Sequence, residues 1–366
     1  MRVLHVIDSL RSGGAEALLT GLVPRMMHLG VMSDIFVLER SGSSLEQEAQ
    51  RWARILGSER GRPYSLWTVL RLREAIRDGD YEIVHSHLFP AQMWVPLALA
   101  LSRRKPILVT TEHSTNNRRR GWRWFKIAER WMYKHYDAAV CVSDAVAASL
   151  QKWVPEAQPK VRVIPNGVDT RVIQEAGRAE SHEIGGPLSG PAVISVGRFE
   201  PAKDYETLLR ALARIPVVQA LLVGDGSKRE AMEDLASTLG LKDRVRFLGE
   251  RRDVYRLLKA ADVFVQSSRW EGFGLAAVEA MAAGLPVVAS RVSGLADVVG
   301  DAGLTFPAGD VEALAACLER VLEDDELRDD LIVRSLKRAK HFDLSRTAEQ
   351  YASLYKDLAN RPQRNG

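Results

Sequence analysis

Apolar residues fall into short blocked runs of strand length, separated by longer stretches whose apolar positions recur every three to four residues. Residues 3–7, 33–38, 82–85, 107–111, 138–142 and 161–164 read as strands, and residues 15–29, 45–53 and 66–77 as helices between them. A second series follows, with strands at 192–196, 217–223, 245–248, 263–266 and 286–289 and helices ending at Leu239, over 273–283, within 311–340 and over 344–358. Strands alternating with helices predict an α/β fold with largely parallel sheets. The 366 residues exceed one ordinary core. Residues 170–191 carry Gly, Ser and Pro with weak periodicity and read as a linker, so the expected domains are 1–168 and 192–340, joined by 169–191.

Residues 261–290 contain the sharpest local pattern: a strand, a polar elbow at 267–272, a helix stopped by Gly284, and a second strand. The helix is apolar all round, as buried helices are, yet Glu279 lies in its middle. A carboxylate there needs a partner, and a structural ion pair is one solution. Glu271, Gly272, Phe273 and Gly274 precede the helix, where free amides and the positive dipole end favour an anion. Glu271 and Glu279 stand eight positions apart, one at the mouth of a phosphate-sized site and one about two turns into the helix. In the second half, Arg198 and Lys203 follow the first strand. Arg198 offers forked hydrogen bonds and Lys203 a point charge placed against a helix dipole, a conflict that a bound anion would relieve; solvated surface cations are the alternative.

The first half has two comparable strand ends. Gly13 and Gly14 form a loop between a strand and a helix that serves equally as a tight turn or a phosphate cradle, since it lacks the Rossmann spacing and the P-loop lysine. His87 and His113 follow the strands 82–85 and 107–111, where open α/β sheets collect ligands. Neither histidine has Cys or Asp partners at zinc-like spacing, so no metal site is expected.

The glutamate pair in its setting E-G-F-G-x-x-x-x-E resembles the signature of the retaining glycosyltransferases of family 4. The resemblance runs from the Gly-Gly loop through N-G-V-D at 166–169 to the final helices. It implies the GT-B architecture, two Rossmann-like doubly wound domains facing a central cleft, with the helix at 341–366 crossing back to the first domain. It implies transfer of a sugar from a UDP- or GDP-linked nucleotide-sugar to a hydroxyl of a glycan or lipid-linked acceptor, in cell-surface polysaccharide or glycolipid synthesis. Other enzymes of that architecture, a nucleotide-sugar epimerase or a phosphorylase, and a non-catalytic membrane-associated scaffold are the alternatives. By resemblance, Glu271 orients the sugar and His113 contacts it near the reaction centre. Glu279 takes the ribose hydroxyls, while Arg198, Lys203 and the amides of Phe273, Gly274 and Leu275 take the diphosphate. Gly13, Gly14 and Gly294 lie in loops turned to the donor, Glu250 and Arg251 near the base, and His87 on the acceptor side. No metal or other cofactor is implied.

Residues 116–136 hold seven Arg or Lys and a single acid, Glu129, interleaved with aromatics. Trp124, Ile127 and Trp131 share one helical face, which can be the usual packing stripe, and Trp122, Phe125 and Met132 form a second, more than packing on one side requires. Arg118, Arg119, Arg120, Trp122, Trp124 and Phe125 therefore read first as an anionic membrane surface or lipid-linked acceptor contact, and next as a core helix with a solvated basic face. Nucleic acid is a distant third, for no binding motif surrounds the segment and the net charge is only +4. Apolar content of 46% and charged content of 27% fit a folded soluble chain. No apolar run spans a bilayer and no leader precedes the first strand, which places the protein on the cytoplasmic side, and the basic aromatic segment adds the hypothesis of a peripheral position on the inner face of the plasma membrane. Cys141 and Cys317 are far apart and give neither a disulfide framework nor a metal site.

Overall fold

The computed structural model describes residues 1–11, 13–57, 64–100, 102, 105–117, 120 and 122–361. The chain divides into two compact units, Met1–Gly167 with Leu344–Gly366, and Val168–Asp343. The first contains β1 (Arg2–Ile7), α1 (Gly14–His28), β2 (Met32–Val37), α2 (Ser44–Ala49), β3 (Ile55–Gly57), α3 (Leu66–Gly79), β4 (Ile83–His87), α4 (Ala91–Ala100), β5 (Ile107–Glu112), α5 (Arg123–His135), β6 (Ala138–Cys141), α6 (Asp144–Trp153) and β7 (Val161–Val163). The second contains α7 (Thr170–Glu175), β8 (Ala192–Val196), α8 (Tyr205–Leu212), β9 (Gln219–Val223), α9 (Arg229–Thr238), β10 (Val245–Gly249), α10 (Val254–Leu258), β11 (Val263–Gln266), α11 (Leu275–Ala282), β12 (Val287–Ser290), α12 (Leu295–Val299), β13 (Gly303–Phe306), α13 (Val311–Glu323) and α14 (Asp325–Ala339). The last helix, α15 (Leu344–Ala359), belongs to the first unit.

Each unit is a parallel sheet, in the orders β3-β2-β1-β4-β5-β6-β7 and β10-β9-β8-β11-β12-β13. In both units the chain winds outward in one direction, returns to the centre and winds out in the other. The direction reverses between β1 and β4 in the first sheet and between β8 and β11 in the second. Right-handed crossovers then put α1 and α2 on one face of the first sheet and α3, α4, α5 and α6 on the other. On the α1 face, Leu18, Leu22 and Met26 pack with Tyr351, Ala352 and Tyr355 of α15. The second core gathers Leu208, Leu209 and Leu212 of α8 with Leu222, Val265, Leu314 and Leu318.

Local chemistry sets several boundaries. The Asp324 carboxylate accepts from the Leu327 amide and divides the 311–340 pattern into α13 and α14. Helix α4 was absent from the sequence reading, because Pro96 lies inside it. Proline leaves the carbonyl four residues earlier unpaired, and that carbonyl, of Gln92, accepts from the Tyr136 hydroxyl at 2.7 Å. Residues 169–191 differ from the expected linker. They form α7 and a turn at Ser181–Ile184 inside the second unit, with Ile173, Ala179 and Ile184 buried. Arg246 donates to the Ile184 and Gly186 carbonyls at 2.9 and 2.6 Å. Anchors that far apart in sequence leave no periodic trace. No helix among the described residues is long and apolar enough to cross a membrane.

Candidate active site

In an open parallel sheet, ligands gather beyond the carboxyl ends of the strands where the winding reverses. In the second unit those strands are β8 and β11. The loop after β8 carries Arg198 and Lys203, and the elbow after β11 carries Glu271. Ser267 ties them together, its hydroxyl donating to the Lys203 and Asp204 carbonyls at 3.1 and 2.9 Å. Arg269 adds a forked pair to the buried Asp204 carboxylate, both contacts at 3.1 Å.

The consequence is a compact charge pair. Lys203 Nζ donates to Glu271 Oε2 at 2.6 Å, and the same oxygen accepts from Gln266 Nε2 at 2.8 Å and Ser268 Oγ at 3.2 Å. The cation that sequence set against the dipole of α8 is thus balanced by Glu271. Arg198 is exposed, and its guanidinium makes no ion pair among the described residues.

Helix α11 opens at Leu275, two residues later than its apolar pattern predicts. Gly274 caps it at φ +103°, a conformation that L side chains rarely adopt. The first amides of the helix have no acceptor within it, which leaves an electropositive end beside Glu271. Gly294 lies against the elbow at φ +87°, and a Cβ there would fall 2.8 Å from the Glu271 and Gly272 carbonyl oxygens, so only glycine fits. One turn inside α11, Glu279 is partly buried. Burial raises its carboxyl to about 7, with a hydrogen bond from Tyr255 acting the other way. It is poised to change charge near neutrality.

The first unit reverses between β1 and β4. His5 and His85 are side by side in register, and His87 ends β4 on the same face. His5 Nδ1 and His87 Nε2 share a hydrogen bond of 3.1 Å, and His85 bonds Tyr355 Oη at 2.6 Å and Thr111 Oγ1 at 2.7 Å. Ring nitrogens of His5, His85 and His87 lie within 4.8 Å of one another. Both nitrogens of His85 are occupied by hydroxyls, so the cluster reads as a hydrogen-bonded core, and no metal is assigned. Burial lowers His5 to about 3 and His113 to about 4, keeping these imidazoles neutral at pH 7. His113 follows β5, and its Nε2 is buried without a hydrogen-bond partner. Gly13 caps α1 and Gly14 is its first residue, in the loop after β1.

Behind His113 is a buried network. Glu112 accepts from Tyr133 Oη and from Gln92 Nε2, the latter at 2.9 Å. Arg120 lies 3.8 Å from Glu112 and 3.7 Å from Glu129, both buried. This corrects one expectation for the basic aromatic segment. Arg120 is held between two acids rather than offered to a surface. Glu129, Met132, Tyr133 and Tyr136 pack inward, and Trp124, Ile127 and Trp131 are exposed, so their stripe does not serve packing. Trp122 is exposed, and Phe125 stacks on Trp124 with ring centres 4.1 Å apart. Arg118 and Arg119 lie outside the described residues.

The family pattern for Glycosyl transferases group 1 matches residues 178–338, and that for Glycosyltransferase Family 4 matches residues 12–172. A phosphatidyl-myo-inositol mannosyltransferase of Mycolicibacterium smegmatis is 32% identical over 300 residues, covering 79% of this chain and 74% of the relative. The chain belongs to glycosyltransferase family 4. A lipopolysaccharide core biosynthesis glycosyltransferase of Rhizobium meliloti is 29% identical over 339 residues, 90% of this chain and 91% of that one. An Anabaena protein crystallised with UDP shares the fold, with a TM-score of 0.81, 21% identity and coverage of 98% and 100%. The two-sheet α/β architecture is that of the GT-B glycosyltransferases, and the activity that goes with membership is glycosyl transfer.

Within this family 4 chain, the structure brings together Glu271, Lys203, Gly274, Leu275 and Gly294 in one neighbourhood of the second unit. Phe273 is buried there against Phe342, with ring centres 5.4 Å apart, so its side chain serves packing. Glu250 is exposed after β10, and Arg251 is occupied by Asp253, at 2.8 and 2.6 Å, and by the Glu183 carbonyl at 2.8 Å. Gln266 was missed by sequence reasoning. A buried glutamine ending an otherwise apolar strand was the available signal, and its Oε1 has no hydrogen-bond partner. His5 was missed because a lone histidine within a strand has no marker until the register of β1 and β4 is known.

Proposed function

We propose that the protein transfers a sugar, with retention of anomeric configuration, from a UDP- or GDP-linked donor to a hydroxyl of a lipid-linked glycan or glycolipid acceptor at the inner face of the plasma membrane. The observation that carries the reading is the Lys203–Glu271 pair beside the amino end of α11, at the winding reversal of the second sheet. Breaking the sugar C1–O bond leaves negative charge on the departing diphosphate and positive charge on the sugar. Lys203, Arg198 and the opening amides of α11 answer the first charge, and the Glu271 carboxylate orients the sugar that carries the second. Glu279 receives the ribose hydroxyls. The acceptor oxygen bonds to C1, and its proton passes to the departing phosphate oxygen, so no bound metal enters the scheme. His113, as a neutral imidazole, takes its role on the sugar from the family's pattern. The acceptor class is supported by the names of the relatives, a phosphatidyl-myo-inositol mannosyltransferase and a lipopolysaccharide core enzyme.

The test is nucleoside diphosphate release by purified protein, with UDP- and GDP-sugars, with and without lipid-linked acceptors, in chelator. Acceptor-dependent release of one diphosphate and an anomerically retained product is the expected result. Release without acceptor would favour an epimerase, and no turnover with any donor would favour a non-catalytic scaffold.

A further inference from the structure

The three helices α3, α4 and α5 lie on the same face of the first sheet, and α4 packs against both of the others. In parallel α/β units helices run against the strands, so all three open at the carboxyl edge of the sheet. At that edge the openings of α3 and α5 are unusually apolar. Leu66 and Trp67 are both 75% exposed in the first turn of α3, and Leu70 follows one turn on. Trp122 and Ile127, 62% and 73% exposed, flank the exposed Trp124 at the opening of α5. The α5 cluster extends toward α4 through rings in contact: Trp122 with Trp124, Trp124 with Phe125, and Phe125 edge-on to Phe89, two residues before α4.

Exposed clusters of large apolar side chains mark contact surfaces, and the charges around this one choose the partner. The only acid of α5, Glu129, is turned inward, and on the outward side of that helix Lys134 is exposed while Arg130 is paired with Glu156. On α3, Arg71 and Arg73 are exposed and outnumber the single exposed acid beside them, Glu74. Tryptophans rimmed by cations fit the boundary between headgroups and acyl chains of an anionic bilayer.

We propose that the openings of α3 and α5 form one two-point surface that seats this unit on an anionic lipid bilayer, with Trp67 and Trp124 as its paired insertion points. The inference rests on the lipid-linked acceptor of the proposed function, and it adds α3, which the basic aromatic segment alone does not include. Two weak apolar contacts on one rigid unit act together, so losing either weakens the whole attachment.

The test is flotation of the full chain with vesicles of phosphatidylcholine alone, or of equal parts phosphatidylcholine and phosphatidylglycerol, for the parent, Trp67→Glu, Trp124→Glu and the double variant. The parent is expected to float with the anionic vesicles at low salt, and each single substitution to lower partitioning by ~10-fold or more. Trp67→Glu floating like the parent would remove α3 from the surface and leave attachment to α5 alone. A parent that floats with neither vesicle would overturn the lipid surface. A parent dimer by light scattering that Trp67→Glu makes monomeric would assign the face to a second copy instead. Sugar transfer to a short water-soluble acceptor separates the two readings. If Trp67→Glu keeps that transfer and loses flotation, both stand; vesicle binding with no transfer by the parent sinks the catalytic reading only.

Discussion

The winding reversals of the two sheets are built from opposite chemistry. At β8 and β11 the side chains are charged and partly exposed: Lys203 against Glu271, with Arg198 exposed in the same loop as Lys203. At β1 and β4 they are imidazoles, buried and held neutral: His5, His85 and His87, with His113 at the end of the next strand. The same topology therefore supplies two environments, one suited to charge that develops during a reaction and one suited to hydroxyls. In the proposed function, the diphosphate belongs to the first, and the acceptor alcohol, which needs donors and acceptors without net charge, to the second.

The sharpest way to break this division is to remove a charge from the second unit. Glu271→Gln keeps the size of the side chain but ends the ion pair with Lys203, and turnover is expected to fall by ~100-fold or more, as for lost transition-state electrostatics. Steady-state kinetics with the preferred donor check it, and turnover within a few-fold of the parent would count against a role in the reaction. Gln266→Met removes one donor to the same carboxylate at similar volume. A fall of about 10-fold in kcat with donor KM little changed is expected, in the range that supporting shells contribute. A drop in melting temperature with unchanged kinetics would reduce Gln266 to packing.

The pH dependence separates the units by sign. Glu279 is raised from 4.5 to about 7, so its contribution to stability is present at low pH and declines as pH rises from about 4.5 to about 7. His5 and His113 are lowered from 6.5 to about 3 and about 4, so theirs is present above pH 6.5 and declines as pH falls toward those values. Hydrogen exchange, corrected for intrinsic rate, is expected to show β1 and β4 opening more readily at pH 5 than at pH 7, and α11 the reverse. Parallel behaviour in both places would contradict the contrast. The smallest effect is expected from Tyr133→Phe, which deletes the hydroxyl bonded to Glu112. A loss of about 1–2 kcal/mol in stability is expected by chemical denaturation, and an unchanged midpoint would show Glu112 fully satisfied by Gln92 and Arg120.

Much of this architecture is legible in the residue pattern. Alternating strand and helix blocks give the two parallel sheets, and E-G-F-G-x-x-x-x-E after a strand marks the elbow of the second. What escaped was pairing between distant residues. Glu112, Arg120, Glu129 and Tyr133 orient α5 through contacts that no helical wheel contains, so a choice between its apolar stripes could not be made from period alone. Ile173, Ala179 and Ile184 attach the segment 169–191 to the second unit singly, without period. The hydrogen bond between His5 and His87 depends on strand order, since 82 residues separate the two in the chain.

The most direct measurement is calorimetric titration of the purified protein with UDP and with GDP in the presence of chelator, for the parent and for Lys203→Ala. The account predicts metal-free binding of one nucleotide, weakened by ~10-fold or more in the variant, as expected for loss of a charge-assisted contact, with melting of the free variant close to that of the parent. Binding of neither nucleotide, or equal binding by parent and variant, would contradict the assignment of the diphosphate to the elbow after β11.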